Sequence, residues 1–398
     1  MCKQASIGEI ADVITGKTPP TNKPIFWEAD IPFITPKDLQ ASKHIFATER
    51  RVSSAVKDSF SKQIIPAGSV CVSCIGNLGY VGVVETASLS NQQINTVVPN
   101  DPDDSDYLYY AMRWLWPYFK HLEGQSTALS IINKSHFEQI SIPWPSQATR
   151  RIISGILNRF DDLIELNLRT NDYLLELVRV EFDHRFGAET PTTNLGNVMA
   201  ISTQSLKPSA CTGEIWEHYS IPAFDDNRRP VFEPADNIKS NKYAIDNDCI
   251  LISKLNPSIK RLWLPCCTLK RSVCSTEFIV YKPKRPEHKS FYYAAIDSPS
   301  FTDFLLAHVT GSTGSRQRTH PKATLNYPMP NPSVEDIEGF CEFADPIIAR
   351  WQLNERGSAQ LERLRGVLLP KLMSGEIDVS RVNATQLNNH LSAGSMSA

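Results

Sequence analysis

Several short motifs in this chain could do chemistry, and each lacks a part that its chemistry needs. Ala11-Asp12-Val13-Ile14-Thr15-Gly16-Lys17-Thr18 ends like a phosphate-binding loop, but Ala11 stands where the first glycine belongs. Pro19-Pro20 then follow where a helix must begin, so the backbone cannot cradle a phosphate. Cys71-x-x-Cys74 has the spacing of two zinc ligands, yet it lies in an apolar run that predicts a strand. Its two thiols would then face opposite sides of a sheet, and no second pair stands at zinc-ribbon distance. Cys266-Cys267 and Cys274 have no histidine at a useful interval and read as core thiols. There is no dinucleotide fingerprint and no Gly-x-Ser-x-Gly elbow, and no histidine pair at metal spacing recurs along the chain. No catalytic residue, metal ligand or cofactor of the chain's own is expected.

Basic and amide side chains in turn-rich segments are more informative. In the first part of the chain these are Lys17, Thr18, Lys23, Arg50, Arg51, Asn77, Gln92, Asn133 and Lys134. Further on they are Arg228, Arg229, Lys254, Asn256, Lys260 and Arg261, then Ser315, Arg316, Gln317 and Arg318. Arg and Lys suit phosphate and guanine, and Gln and Asn suit adenine. Taken singly, each is also what any solvated surface supplies. The Arg316-Gln317-Arg318 segment is the strongest candidate, because a glycine-flexed polar loop has few structural duties.

The elements that must position these residues follow from composition and repetition. With 398 residues, 41% hydrophobic and 21% charged, the chain has room for two or three ordinary globular domains. No apolar run reaches the roughly 18–20 residues that cross a bilayer, and Met1-Cys2-Lys3-Gln4-Ala5 does not open a signal peptide. Nine scattered cysteines do not make a disulfide framework, so a cytoplasmic protein with reduced thiols and no membrane partner is expected. A net charge of -2 excludes a uniformly basic coat, although residues 188–332 hold 17 Lys/Arg against 13 Asp/Glu.

The chain is written twice. Ser6-Ile7-Gly8-Glu9-Ile10 is answered by Asn194-Leu195-Gly196-Asn197-Val198, at an offset of 188. The segment 65–73 is answered by 245–253 at 180, and 93–99 by 277–283 at 184. Gly124-Gln125-Ser126 falls on Gly311-Ser312-Thr313, and Pro143-x-Pro145 on Pro330-x-Pro332, both at 187. Within each copy, 70–75 and 250–253 predict strands, and 107–121 and 291–308 predict helices. A long helix closes each copy, opened by Ser146 and by Ser333 as N-caps, the latter with Asp336 at capping-box spacing.

Both long helices show a three-four apolar seam. In the first it is read as Ile153, Ile156, Phe160, Leu163, Asn167, Thr170, Leu174 and Leu177. In the second it is Ile337, Phe340, Ala344, Ile347, Trp351, Asn354, Ser358, Leu361, Arg365 and Leu368, with Leu364 beside it. Each has a polar break, and a helix from 151 to 186 would be roughly 50 Å long, so mutual antiparallel pairing is expected. The fold class predicted is α+β. It comprises a first globule at 1–147, a spacer helix at 148–187, a second globule at 188–332, a second spacer at 333–375 and a C-terminal tail at 376–398, unstructured from Asn383. The expected shape is a pseudo-two-fold dumbbell. Such an object matches duplex DNA, whose half-sites recur on one face about every 34–36 Å. A non-catalytic scaffold pairing two protein ligands would have the same architecture, as would a solitary regulator of the same fold.

From about Ser6 to Val379 the chain also resembles the specificity subunit of Type I restriction-modification systems. The resemblance is carried by Gly16-Lys17-Thr18-Pro19, Ile31-Pro32-Phe33-Ile34-Thr35, Ile65-Pro66-Ala67-Gly68-Ser69-Val70 and Gly76-Asn77-Leu78-Gly79. Asn91-Gln92-Gln93-Ile94-Asn95, the exit at 140–145, and Leu368-Leu369-Pro370-x-Leu372-Met373-Ser374-Gly375-Glu376-Ile377 extend it. The second globule departs from the pattern, with Ser275-Thr276-Glu277 and Leu255-Asn256-Pro257-Ser258 in the corresponding places. The resemblance implies two target-recognition domains that read a bipartite site in double-stranded DNA. It implies two modification subunits that use S-adenosylmethionine to methylate adenine. It also implies restriction subunits that use ATP and Mg2+ to translocate and cut.

Overall fold

In this computed structural model, residues 3–40, 42–125, 130–310 and 317–379 are described. They form two compact units, one of the described residues up to 167 and from 357 onward, the other of those between 168 and 356.

The first unit holds a five-stranded sheet in the order Ala11–Thr15, Ile94–Pro99, Val70–Ser73, Val81–Val84, His44–Ile45. A second, four-stranded sheet runs Arg50–Val52, Trp27–Ile34, Ser88–Ser90, Ile64–Ile65. The strand Val70–Ser73 is buried on both faces, as its unbroken apolar run requires. Cys71 packs with Ile34, Ile65 and Ile94, and Cys74, one residue past the strand, packs with Val72 and Leu78. The two thiols therefore lie on opposite sides. Burial pushes each up to about 12.

The second unit repeats the plan. Its first sheet runs Met199–Ser202, Phe278–Pro283, Ile250–Ser253, Leu262–Trp263, and its second has five strands from Ser205–Leu206 to Val231–Pro234. Each unit also ties its ends with a two-stranded ribbon, Gln4–Ser6 with Ser141–Pro143 and Thr193–Asn194 with Pro328–Met329. The helices expected at 107–121 and 291–308 are each two helices. They are Ser105–Trp114 and Trp116–Gln125, then Lys289–Asp297 and Pro299–Ala307. Pro117 and Pro299 fall in the first turn of the later helix of each pair, where a missing N–H costs nothing.

The long helices run Gln147–Phe186 and Val334–Ser374, and Pro346 and Gly357 do not end the second. Ser146 Oγ accepts from Thr149 N at 3.3 Å, and Ser333 Oγ accepts from Asp336 N at 3.1 Å, so both expected caps form. Within each unit the two helices pack antiparallel. In the first unit Asn167 donates to Ser358 Oγ at 3.0 Å, and Asp161 pairs with Arg365 seven residues further along the second helix. In the second unit Asn354 donates to Asn171 Oδ1 at 2.9 Å, and Phe182 and Phe186 stack on Phe340. The polar breaks thus face each other, as a register device would.

The phase of the first seam differs from the expectation. The buried row is Ile153, Leu157, Asp161, Ile164, Asn171, Val178, Phe182 and Phe186, mostly one residue further on. Leu163 and Leu177 are about half exposed, and in the second helix Leu364 is exposed as well. Ile156, Phe160 and Leu174 flank the seam, half-buried. The shift has a simple cause. The buried row carries the polar Arg150, Ser154, Asp161 and Asn171, so counting apolar residues favours the neighbouring row. The second helix keeps its expected phase, with Ile337, Phe340, Ala344, Asn354 and Ser358 buried and Ile347, Trp351, Leu361 and Leu368 half-buried.

Candidate nucleic-acid interface

At one end of the first sheet, three connecting segments of the first unit are stitched together by backbone hydrogen bonds. Cys74 N donates to Gln93 O at 2.7 Å, Ile132 N to Cys74 O at 2.9 Å and Gly76 N to Ser130 O at 3.0 Å. Ile75 and Ile131 form an isolated antiparallel bridge. The loop after the strand Ala11–Thr15 joins them, with Gly16 N on Ile94 O at 3.0 Å and Lys17 N on Ser90 O at 2.8 Å. Only glycine fits at 16, since a Cβ there would lie 2.1 Å from Asn91 O.

This junction gathers Lys17, Thr18, Asn77 and Gln92. Thr18 Oγ1 donates to Gln92 Oε1 at 2.5 Å, which orients the amide and leaves its N–H groups outward. Lys17 lies 5.6 Å from the centroid of the Phe60 ring, and Asn77 is exposed with its carbonyl taken by Ser73 Oγ at 2.7 Å.

The second unit builds the same junction. Lys254 N donates to Glu277 O at 2.9 Å, Thr319 N to Lys254 O at 3.0 Å and Asn256 N to Gln317 O at 2.9 Å, and Leu255 bridges Arg318. Asn256 takes the left-handed position held by Gly76, at φ 47° against 81°, a region that Asn tolerates. Lys254, Asn256, Gln317 and Arg318 are thus brought together, and Glu277 grips Arg318 with Nε–Oε2 at 3.1 Å and Nη2–Oε1 at 3.3 Å. Sequence reasoning passes over Glu277 because a carboxylate repels phosphate. Its offset of 184 from Gln93 is the signal that places it here.

The other candidates stand elsewhere or are engaged. Arg50 and Arg51 lie in an edge strand instead of a loop. Arg50 stacks 3.9 Å over the Trp27 ring, and Arg51 donates to Asp30 O. Lys23 is exposed, just before the short turn Pro24–Phe26. Asn133 caps the helix Lys134–Gln139, accepting from His136 N at 2.9 Å, and Lys134 reaches Glu138 at 3.5 Å. Arg228 caps a helix in the left-handed region and comes within 4.0 Å of Asp172, and the mostly buried Arg229 comes within 3.8 Å of Glu355. Arg261 stands in a connecting segment just before the strand Leu262–Trp263, but does not face solvent. It is buried and holds Asp225 through two bonds of 2.6 and 2.9 Å. Lys260 likewise pairs with Asp297 at 2.5 Å, and burial pushes that carboxyl up while Lys260 pulls it back. Ser315 and Arg316, and the tail from 380 onward, lie outside the described residues. Among the described residues no group of three or more His, Cys, Asp or Glu could hold a metal ion, and no helix is long and apolar enough to cross a membrane.

What carries such a twice-built junction can be asked of known proteins. Residues 2–176 match the family model described as the Type I restriction modification DNA specificity domain. The chain is similar to the MjaIX specificity subunit of a Type I restriction enzyme from Methanocaldococcus jannaschii, at 25% identity over 413 residues, 94% of this chain and 93% of that one. It is 34% identical over 144 residues to the HindI specificity subunit of Haemophilus influenzae, covering 36% and 31% of the two chains. Its fold is shared by the crystal structure of a Type I restriction-modification S subunit from M. genitalium, with a TM-score of 0.54, 17% identity and coverage of 93% and 96%. Along nearly its whole length the chain is thus similar to the specificity subunits of Type I restriction-modification systems, and residues 2–176 match that family's DNA specificity domain.

Proposed function

We propose that this chain reads a bipartite sequence in double-stranded DNA and directs the chemistry of partner subunits to it. Residues 1–147 and 188–332 are the two readers, and each takes one half-site. Modification subunits with S-adenosylmethionine methylate adenine there, and restriction subunits with ATP and Mg2+ translocate and cut. The observation that carries this reading is the junction built twice on one set of backbone hydrogen bonds and furnished with different polar side chains. A reader of two unlike half-sites needs that combination. A near-neutral chain grips phosphate weakly, so the partners supply much of the electrostatic attraction.

Outward apolar side chains on the long helices support docking of those partners. In the first unit Leu166 and Val367 are more than half exposed, and in the second unit Tyr173 and Leu353 are. The test is methylation mapping of a genome that carries the full set of subunits. A split adenine motif that disappears when this chain is deleted is expected. A methylation pattern indifferent to the deletion would refute the reading and favour a scaffold that pairs protein ligands.

A further inference from the structure

Three backbone bonds and one bridge of the first junction have counterparts in the second, while the side chains around them differ. Cys74–Gln93, Ile132–Cys74 and Gly76–Ser130 correspond to Lys254–Glu277, Thr319–Lys254 and Asn256–Gln317. The bridge Ile75–Ile131 then corresponds to Leu255–Arg318. So Ile131 and Arg318 occupy the same place, and both are exposed. Beside them the side chains differ in step. Gln93 is neutral and accepts from Asn91 Nδ2 at 2.9 Å, whereas Glu277 holds Arg318 in a fork.

That fork has a chemical consequence. Glu277 uses Nε and one Nη2 hydrogen, which fixes the guanidinium plane. Nη1 and the second Nη2 hydrogen remain as a parallel pair of donors on the outer edge. Such a pair matches O6 and N7 of guanine, while an exposed aliphatic side chain matches the C5-methyl group of thymine. Stability does not account for the pair, since exposed ion pairs contribute little.

We propose that this position determines the base read by each unit: Arg318, oriented by Glu277, reads a guanine, and Ile131 contacts a thymine methyl. The inference rests on the DNA-reading function proposed above and adds which residue reads which base. Arg318 is the contact and Glu277 the positioning residue.

The test uses the full complex with Arg318→Ala, Glu277→Gln and Arg271→Ala, read by methylation mapping and by DNA binding as a function of salt. Arg271 is the control, an exposed arginine paired with Glu214 at 3.2 Å. Arg318→Ala should relax one position of one half-site from guanine to any base, with discrimination there falling about tenfold to a hundredfold. The other half-site and the gap should not change, and co-purification of the subunits should persist. Glu277→Gln should keep the guanine preference but weaken it, and Arg271→Ala should leave the motif intact. An unaltered motif in Arg318→Ala overturns the inference. So does a uniform loss at every site with a shallower salt dependence, which would make Arg318 a phosphate contact. A wild-type complex with no motif dependent on this chain would overturn the underlying function as well, which separates the two failures.

Discussion

Truncating Asp161 to alanine tests how the first unit is fastened to its long helices. Asp161 is buried on the helix Gln147–Phe186 and accepts from Arg365 of the antiparallel helix and from Tyr110 Oη at 2.5 Å. The Tyr110 hydroxyl, pushed up by burial and by Asp161 itself, remains a donor. Losing one partner of a buried ion pair costs about 3–5 kcal/mol, because the other charge stays behind. Two features place Asp161→Ala at the low end, near 3 kcal/mol. Arg365 keeps 19% of its side chain exposed and can recruit water, and Tyr110 retains Asn158 Oδ1 at 2.9 Å. Arg365→Ala should cost more, since Asp161 is the more buried partner at 9%. The double replacement Asp161→Leu with Arg365→Met should be close to neutral, because removing both charges removes the desolvation cost as well. The assay is hydrogen exchange of peptides covering 105–114 and 147–167, which isolates this unit from the rest of the chain. Single-variant losses below about 1 kcal/mol, with a coupling below about 0.5 kcal/mol, would refute the reasoning and make the pair an ordinary surface contact.

Two further outcomes follow from the same packing. Burial pushes the Asp106 carboxyl up, but Lys43 at 2.6 Å and Asn158 at 2.7 Å outweigh it and hold it below the usual carboxylate range. Its stabilisation is therefore present above about pH 4 and lost as pH falls through the depressed value. Urea midpoints measured from pH 5 to 2 should show this loss in the wild type and not in Lys43→Met. Replacing Asn171 and Asn354 by leucine removes a buried amide pair from the seam of the second unit. The melting temperature should rise by a few degrees, corresponding to about 1 kcal/mol, and a fall would show the pair to be net stabilising.

The duplication and the long helices are legible because they rest on spacing, which the sequence displays directly. The phase of the first seam is not, since Arg150, Asp161 and Asn171 reach their partners Asp104, Arg365 and Asn354 only through tertiary structure. The same limit applies to the interface. Polar loops can be read as loops, yet nothing local ties Arg261 to Asp225, 36 residues away, or Lys260 to Asp297, 37 residues away. Residues whose partners are near in sequence, such as Ser333 with Asp336, declare themselves by type and spacing.

The divergence of the two junctions follows from where their energy lies. Their shared bonds are all between backbone groups, which any non-proline residue supplies. The demands on side chains are few: a left-handed residue at Gly76 or Asn256, and no side chain at Gly16. Outward positions can then change from Ile131 to Arg318 or from Gln93 to Glu277 without unmaking the frame. A reader whose frame was held by side-chain hydrogen bonds would lose stability with each change of preference. The frame here separates the two requirements, so exposed side chains can change while the fold stays within its narrow margin of stability.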